Sequence, residues 1–209
     1  NKCGYVLTDT GISGIQQEHN VVQNSSVAIS APNAVTFSGT ICGGGYIRSG
    51  VEEYFSYGYY MKNRVGGTST IDISGGTYTG TIVAGGYTEP VLVSGGYDGL
   101  CYADVSVVGG AALNIAGGVF NGAKLIGKIA GNYTSSFGTT TLAFTRRTDL
   151  LGETTISGFD SVTIADGVFV KVESETTLDC FTNYRDSVYR YTASDGTVYL
   201  CSPNTYGTA

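Results

Sequence analysis

The chain has no tryptophan, one histidine, one methionine and three prolines in 209 residues. Charge is scarce as well: Asp, Glu, Lys and Arg make up 13%, roughly half the usual share of about 25%. Each shortage excludes something. Lys and Arg number 11 against 17 Asp and Glu, the formal net charge is −6, and no basic run occurs, so a nucleic-acid backbone would be repelled. The lone histidine, His19, has no second histidine or cysteine near it, gives no metal-ligand spacing and reads as a surface residue. Without a Cys-x-x-Cys pair, a phosphate loop or a calcium-loop motif, no cofactor or metal is expected. No apolar stretch approaches the ~20 residues of a spanning helix, which argues against membrane insertion. Helix formers never gather into a 3.6-residue stripe.

Glycine is what the chain has in excess: 32 residues, about twice the ordinary share of ~7%. Much of it falls in register with a phrase that returns, AISAPNAVTFSGTICGGGY at 28–46, DISGGTYTGTIVAGGY at 72–87 and NIAGGVFNGAKLIGKIAGNY at 114–133. The anchors Ile29, Ile73, Ile115 and, more distantly, Ile156 follow one another at nearly equal intervals. A fixed period in this range indicates a repeat architecture. Within a unit, Ile71 and Ile73 alternate with Asp72 and Ser74. After Gly75-Gly76, Tyr78, Gly80, Ile82 and Ala84 alternate with Thr77, Thr79, Thr81 and Val83. Period two predicts strands with one wet face, and the Gly-Gly pair predicts a corner. The scheme recurs where Val91 and Val93 precede Gly95-Gly96, and where Val105 and Val107 precede Gly109-Gly110. A propeller blade has a similar period, but its Trp-Asp type signature is missing, and Gly-Gly corners in register suit parallel stacking better.

On these Gly-Gly phrases, over roughly residues 27–173, the chain resembles the parallel β-helix repeat proteins of bacterial surfaces, including passenger-like adhesins. The resemblance implies coils of about 20–24 residues, hence two coils per unit. The expected fold is all-β: a parallel β-solenoid (β-helix) of about 42-residue double-coil units, six to seven coils in all, with terminal caps. Residues 1–26, polar and irregular, form the N-terminal cap, and 27–173 the solenoid. Residues 174–209 form the C-terminal cap, in which SVYRYTAS and TVYLCS flank Asp195-Gly196, a strong hairpin signal.

Five cysteines in a low-lysine all-β chain suggest secretion, and the first residue, Asn1, fits a removed signal peptide or a fragment. Cys180 and Cys201, separated by the length of one coil, are the expected disulfide, which leaves Cys3, Cys42 and Cys101, an odd number whose pairing the sequence leaves open.

Parallel β-helices are often polysaccharide lyases or hydrolases, and glycoside hydrolysis usually needs two carboxylates about 5–9.5 Å apart. Asp72 faces outward, but its counterparts are Ala28 and Asn114. Asp98, Asp104, Asp160 and Asp166 sit in turns or beside glycine. Arg146-Arg147 has Asp149 nearby but no acidic cluster, and the pectinase-like signatures are missing. The reading is therefore not an enzyme.

The densest aromatic segment holds Tyr54, Phe55, Tyr57, Tyr59 and Tyr60. With Tyr46, Arg48 and Arg64 it could form a stacking platform for sugars or a sticky face for a partner. Alternatively Tyr59, one repeat interval before Tyr102, belongs to an aromatic stack between units. Thr36-Ser38-Thr40 and Thr77-Thr79-Thr81 suggest a flat threonine array of the ice-binding kind, which Val119-Asn121-Ala123 interrupts.

The function these features point to is an extracellular or cell-surface structural or adhesive protein, non-catalytic, as stalk, fibre or self-assembling filament subunit. Its partners would be copies of itself, another surface protein or glycans. The alternatives are a carbohydrate-binding module using the Tyr-rich face and, less favoured, a polysaccharide lyase or hydrolase.

Overall fold

A computed structural model describes residues 6–8, 16–21, 23–44, 46–48, 59–89, 101–129 and 135–207. The protein is all-β, with largely parallel sheets and two short α-helices near the C-terminus, Glu175–Asp179 and Pro203–Tyr206. The chain visits the same sheets in the same order. From Tyr59–Val65 in one sheet it passes to Ser69–Tyr78 in a second, Thr81–Val83 in a third and Tyr87–Glu89 in a fourth. Cys101–Val107, Ala111–Ala116, Val119–Asn121 and Lys124–Ile126 repeat the first three steps directly beside it. Gln16–Val21, Ser25–Phe37, Thr40–Cys42 and Tyr46–Arg48 lie on its other side.

Successive units are immediate hydrogen-bonded neighbours. Ile29 pairs with Ile73, and Ile73 with Ile115, so one whole repeat unit supplies a single layer rather than the two coils expected. The second sheet accordingly holds five parallel layers, not six or seven coils. The later layers are shorter. Phe144 pairs with Ile115, and Ile164 with Phe144. Ile156, expected as the fourth anchor, instead continues the column Ile41, Ile82, Leu125 in the third sheet. The segment expected as an irregular N-terminal cap contains a strand of the first sheet, Gln16–Val21, and an antiparallel strand, Val6–Thr8, paired to it.

The core forms where inward columns superpose like on like. Ile71, Ile73, Leu113, Ile115, Leu142 and Phe144 are all at most 1% exposed. Each such side chain removed from water contributes ~1.5–3 kcal/mol. A second column stacks Phe37, Tyr78 and Phe120 with ring centroids 5.0 Å apart at both steps. As expected, Tyr78, Ile82 and Ala84 are interior. The Tyr78 hydroxyl is buried without a hydrogen-bond partner among the described residues, and burial raises its pKa. Hydroxyls tie sheets together across the interior. Ser25 Oγ donates to Gly43 O, Ser69 Oγ to Ala84 O and Thr140 Oγ1 to Gly158 O.

Two of the predicted Gly-Gly corners form, while Gly95-Gly96 lies outside the described residues. Gly75 and Gly76 have φ of 87° and 88°, Gly117 and Gly118 of 110° and 117°, conformations that side chains with a Cβ rarely adopt. Gly75 N donates to Gly117 O at 3.3 Å, which stacks one corner on the next. In the first layer Asn33 does this work: its Oδ1 accepts from Gly76 N at 3.1 Å. The threonine rows do not continue, because Thr81 faces Lys124, and Ala123 is buried.

At the C-terminal end the predicted hairpin is present. Tyr189–Thr192 pairs antiparallel with Val198–Cys201 around Asp195-Gly196, where Thr197 N donates to Asp195 Oδ1 at 2.9 Å. Val198–Cys201 also pairs antiparallel with Val170–Val172 and so covers that parallel edge, while Ser161–Ile164, the other last strand of the sheet, pairs on one side only among the described residues. The expected Cys180–Cys201 disulfide is absent; both are free thiols. Cys201 is wholly buried on the last strand, while Cys180 ends helix Glu175–Asp179 with its Sγ directed to Thr176 O at 3.4 Å. Cys42 is also free and half-buried, and burial pushes its thiol up to about 12. Cys101 begins the strand Cys101–Val107, and Cys3 lies outside the described residues.

Candidate functional site

The aromatic segment singled out from sequence is only partly within the described residues. Tyr54, Phe55 and Tyr57 lie outside them. Tyr46 starts the strand Tyr46–Arg48, in register with Tyr87. Tyr59 and Tyr60 open the strand Tyr59–Val65, and Arg64, exposed, stands near its end. Those two strands approach one another, so Tyr46, Tyr59 and Tyr60 share a neighbourhood at the backbone level. The partner of Tyr102 is Tyr60; Tyr59 pairs with Cys101, one position off the aromatic stack considered above.

A different aromatic cluster is fully described, beside the closing hairpin. The antiparallel ladder sets Tyr191 opposite Tyr199, and Tyr199 opposite Lys171, which is itself the parallel neighbour of Asp149. One row across the sheet thus reads Asp149, Lys171, Tyr199, Tyr191. Phe169 joins it from the turn before Val170–Val172. Its ring lies 5.8 Å from that of Tyr191 at 54° and 5.9 Å from that of Tyr199 at 78°. Such tilted and edge-on arrangements suit the aromatic quadrupole.

The turn carrying Phe169 is clamped. Gly167 N donates to Thr205 Oγ1 at 2.7 Å. Asp166 accepts from Ser202 Oγ at 2.7 Å and Asn204 Nδ2 at 3.0 Å, bonds that hold its carboxyl below the usual range. Arg147 closes the other side. It stands between the strands Thr140–Arg146 and Thr148–Leu151, at the corner where the two preceding layers carry glycine pairs. Its side chain is 73% exposed, with Nε 3.8 Å from Asp149 Oδ1. That carboxylate oxygen is buried and has no hydrogen bond among the described residues.

Together Arg147, Gly167, Val168, Phe169, Tyr191 and Tyr199 line an open groove of about 360 Å³. Three half-buried aromatic rings and a guanidinium can receive a flat ligand with an apolar face and an anionic edge. Among the described residues no group of three His, Cys, Asp or Glu is placed to hold a metal ion.

Sequence reasoning weighed Arg147 and Asp149 only as lyase residues and missed Phe169, Tyr191 and Tyr199. One signal was available: a turn centred on Asp195-Gly196 places Tyr191 opposite Tyr199. Phe169 gave none, because it arrives from another part of the chain. Comparison with known proteins adds no assignment, since no family model, curated protein or solved structure matches the chain.

Proposed function

We propose that this chain is an extracellular or cell-surface structural and adhesive protein, a parallel β-solenoid related in kind to the bacterial surface β-helix repeats. The observation that carries the reading is the direct superposition of units, Ile29 on Ile73 on Ile115 and Phe37 on Tyr78 on Phe120. A rod built this way buries its core only by stacking, so its length and stiffness are its product. Three carboxylates support a non-catalytic role, because they are engaged in holding the fold. Asp160 bonds Lys128 and Thr140, Asp166 bonds Ser202 and Asn204, and Glu173 accepts from Gly152 N.

Self-association is the mode the ends suggest. Among the described residues, Ser25–Phe37 pairs with a strand on one side only, and Val35 on it is 43% exposed. An unpaired parallel edge is a template for another chain, and since Ser161–Ile164 at the other end also pairs on one side only among the described residues, head-to-tail contacts are open to it and need not close. Sedimentation velocity over a hundredfold range of concentration tests this. The expected result is growth with concentration, suppressed by Val35→Lys, since an edge lysine blocks pairing. A monomer at every concentration overturns the filament version and leaves the stalk or adhesin. Release of reducing ends from a polysaccharide, abolished by one Asp or Arg substitution, would replace the whole reading with an enzyme.

A carbohydrate-binding role is the second reading. The groove of Phe169, Tyr191 and Tyr199 favours it.

A further inference from the structure

We propose that the groove beside the closing hairpin binds an acidic sugar, a pyranose carrying a carboxylate, stacked on Tyr191, Tyr199 and Phe169 with its carboxylate on Arg147. The inference rests on the glycan-binding reading and names the ligand class.

Four observations carry it. The groove holds about 360 Å³, within the ~300–1,000 Å³ of small-ligand sites. Two of its three rings have polar tips: no hydrogen bond engages the hydroxyls of Tyr191 or Tyr199 among the described residues, although both rings pack on Phe169. A pyranose presents the matching surface, an apolar face of C–H groups edged by hydroxyls.

The third observation is charge. The Arg147 side chain is 73% exposed, and its one ionic contact among the described residues is through Nε, 3.8 Å from Asp149. The terminal nitrogens make no hydrogen bond among the described residues and are free to grip a carboxylate with two parallel bonds. Asp149 is not among the residues that line the groove, and its Oδ1 makes no hydrogen bond to Arg147. In a chain of net charge −6, a cation beside three aromatic rings selects for an anion.

The fourth is rigidity. The groove is built on a hairpin paired to a parallel strand and on a turn fastened by Asp166 and Thr205, so little ordering is needed on binding.

Isothermal titration calorimetry of the full chain tests the proposal with trigalacturonate, 3′-sialyllactose and neutral galactotriose. At least one acidic sugar is expected to bind at least about tenfold more tightly than galactotriose, since the charge-assisted bonds are lost with the neutral sugar. Which acid binds tells whether the carboxylate belongs to a uronic or a sialic unit. Arg147→Gln, an exposed change that leaves the melting temperature in place, should reduce that affinity about tenfold or more. Tyr199→Ala should do the same, and Tyr199→Phe, which keeps the ring and loses only the hydroxyl, should lose less. Equal binding of galactotriose, no saturable binding of either acid, or unchanged affinity in Arg147→Gln overturns the proposal. So does poly-L-glutamate that competes as well as the sugars, because charge alone would then suffice. None of these variants touches the Ser25–Phe37 edge, so a failure here leaves the sedimentation result, and the scaffold reading, standing.

Discussion

The two ends of the core are built differently. At the N-terminal end Val27, Ile29, Phe37 and Ile41 face the same interior as Ile71, Ile73, Tyr78 and Ile82 one layer deeper. The inner four are buried, at most 1% exposed, while the outer four are only partly buried. At the C-terminal end no such gradient exists. Val170, Val172 and Leu200 are 0%, 3% and 3% exposed, because the hairpin and helix Glu175–Asp179 pack over the last layers. The difference teaches that a stacked core is only as dry as its last layer. A parallel layer has no means of ending itself, and a strand of reversed direction, a helix or a loop must cover the edge. The C-terminal end has that reversal beside Val170–Val172 but, among the described residues, not beside Ser161–Ile164. Among the described residues the N-terminal end has it only in the first sheet, where Val6–Thr8 runs antiparallel to Gln16–Val21.

The largest test of this contrast compares the same substitution in adjacent layers. Ile73→Asp buries an unpaired carboxylate in a dry column and is expected to cost more than about 4 kcal/mol, unfolding the domain. Ile29→Asp, in the half-buried outer layer, leaves the carboxylate access to water and should cost less than half as much. Urea denaturation of both variants gives the comparison. Equal losses would mean that the N-terminal layer is as enclosed as the next one and that the open end is not open.

A smaller effect is expected at the corners. Gly75 holds φ of 87°, and a Cβ there would collide with the Ala31 carbonyl oxygen, so Gly75→Ala should cost roughly 1–3 kcal/mol. The first layer makes its corner with Asn33 instead, through a single side-chain acceptor to Gly76 N. Asn33→Ala should cost about 0.5–1.5 kcal/mol, the worth of one hydrogen bond. Thermal melts of the two proteins rank the corners. An Asn33→Ala loss as large as that of Gly75→Ala would show the outer corner to be as constrained as the inner one.

How much of this was legible follows from which features repeat. Ile29, Ile73 and Ile115 and the Gly75-Gly76 and Gly117-Gly118 corners could be read because each recurs at nearly the same interval. Ile156 misled because the interval is not kept. Once the layers shorten, the residue that meets Ile115 is Phe144, well short of a full repeat further on, and its own neighbour Ile164 follows sooner still. The double coil misled for a related reason. A repeat length fixes how often a pattern returns, not how many sheets the chain visits in between. Asp195-Gly196 announced the hairpin, since turn chemistry is local. The groove could not be read as a unit, because Arg147, Phe169 and Tyr199 meet only through pairing between separate strands. The disulfide failed on direction: spacing along the chain says nothing about Cys180 ending a helix with its thiol turned back to Thr176.

The smallest predicted effect is acid sensitivity confined to the closed end. The carboxylates held below the usual range among the described residues are Asp160, by the hydrogen bond from Lys128 and then that from Thr140 N; Asp166, by Ser202 and then Asn204; and Asp195, by Thr197 N. All three lie in the last quarter of the chain. A carboxyl whose pKa is lower folded than unfolded binds fewer protons in the folded state. Its stabilisation is therefore full above the unfolded value, near pH 4, and is lost as pH falls through the folded value below it. Each group is well exposed, so each contribution is small and screened by salt. Urea midpoints should stay level from pH 7 to about 5 and decline below about 4. Amide exchange at pH 3 should rise first in Val198–Cys201 and Val170–Val172, ahead of Ser69–Tyr78. Lys128→Met removes the hydrogen bond that most lowers Asp160 and should flatten the decline without moving the neutral-pH exchange pattern of the inner layers. If the inner layers open first in acid, the lowered carboxylates are not what fastens the C-terminal end, and its closure rests on Leu200 and the hairpin pairing alone.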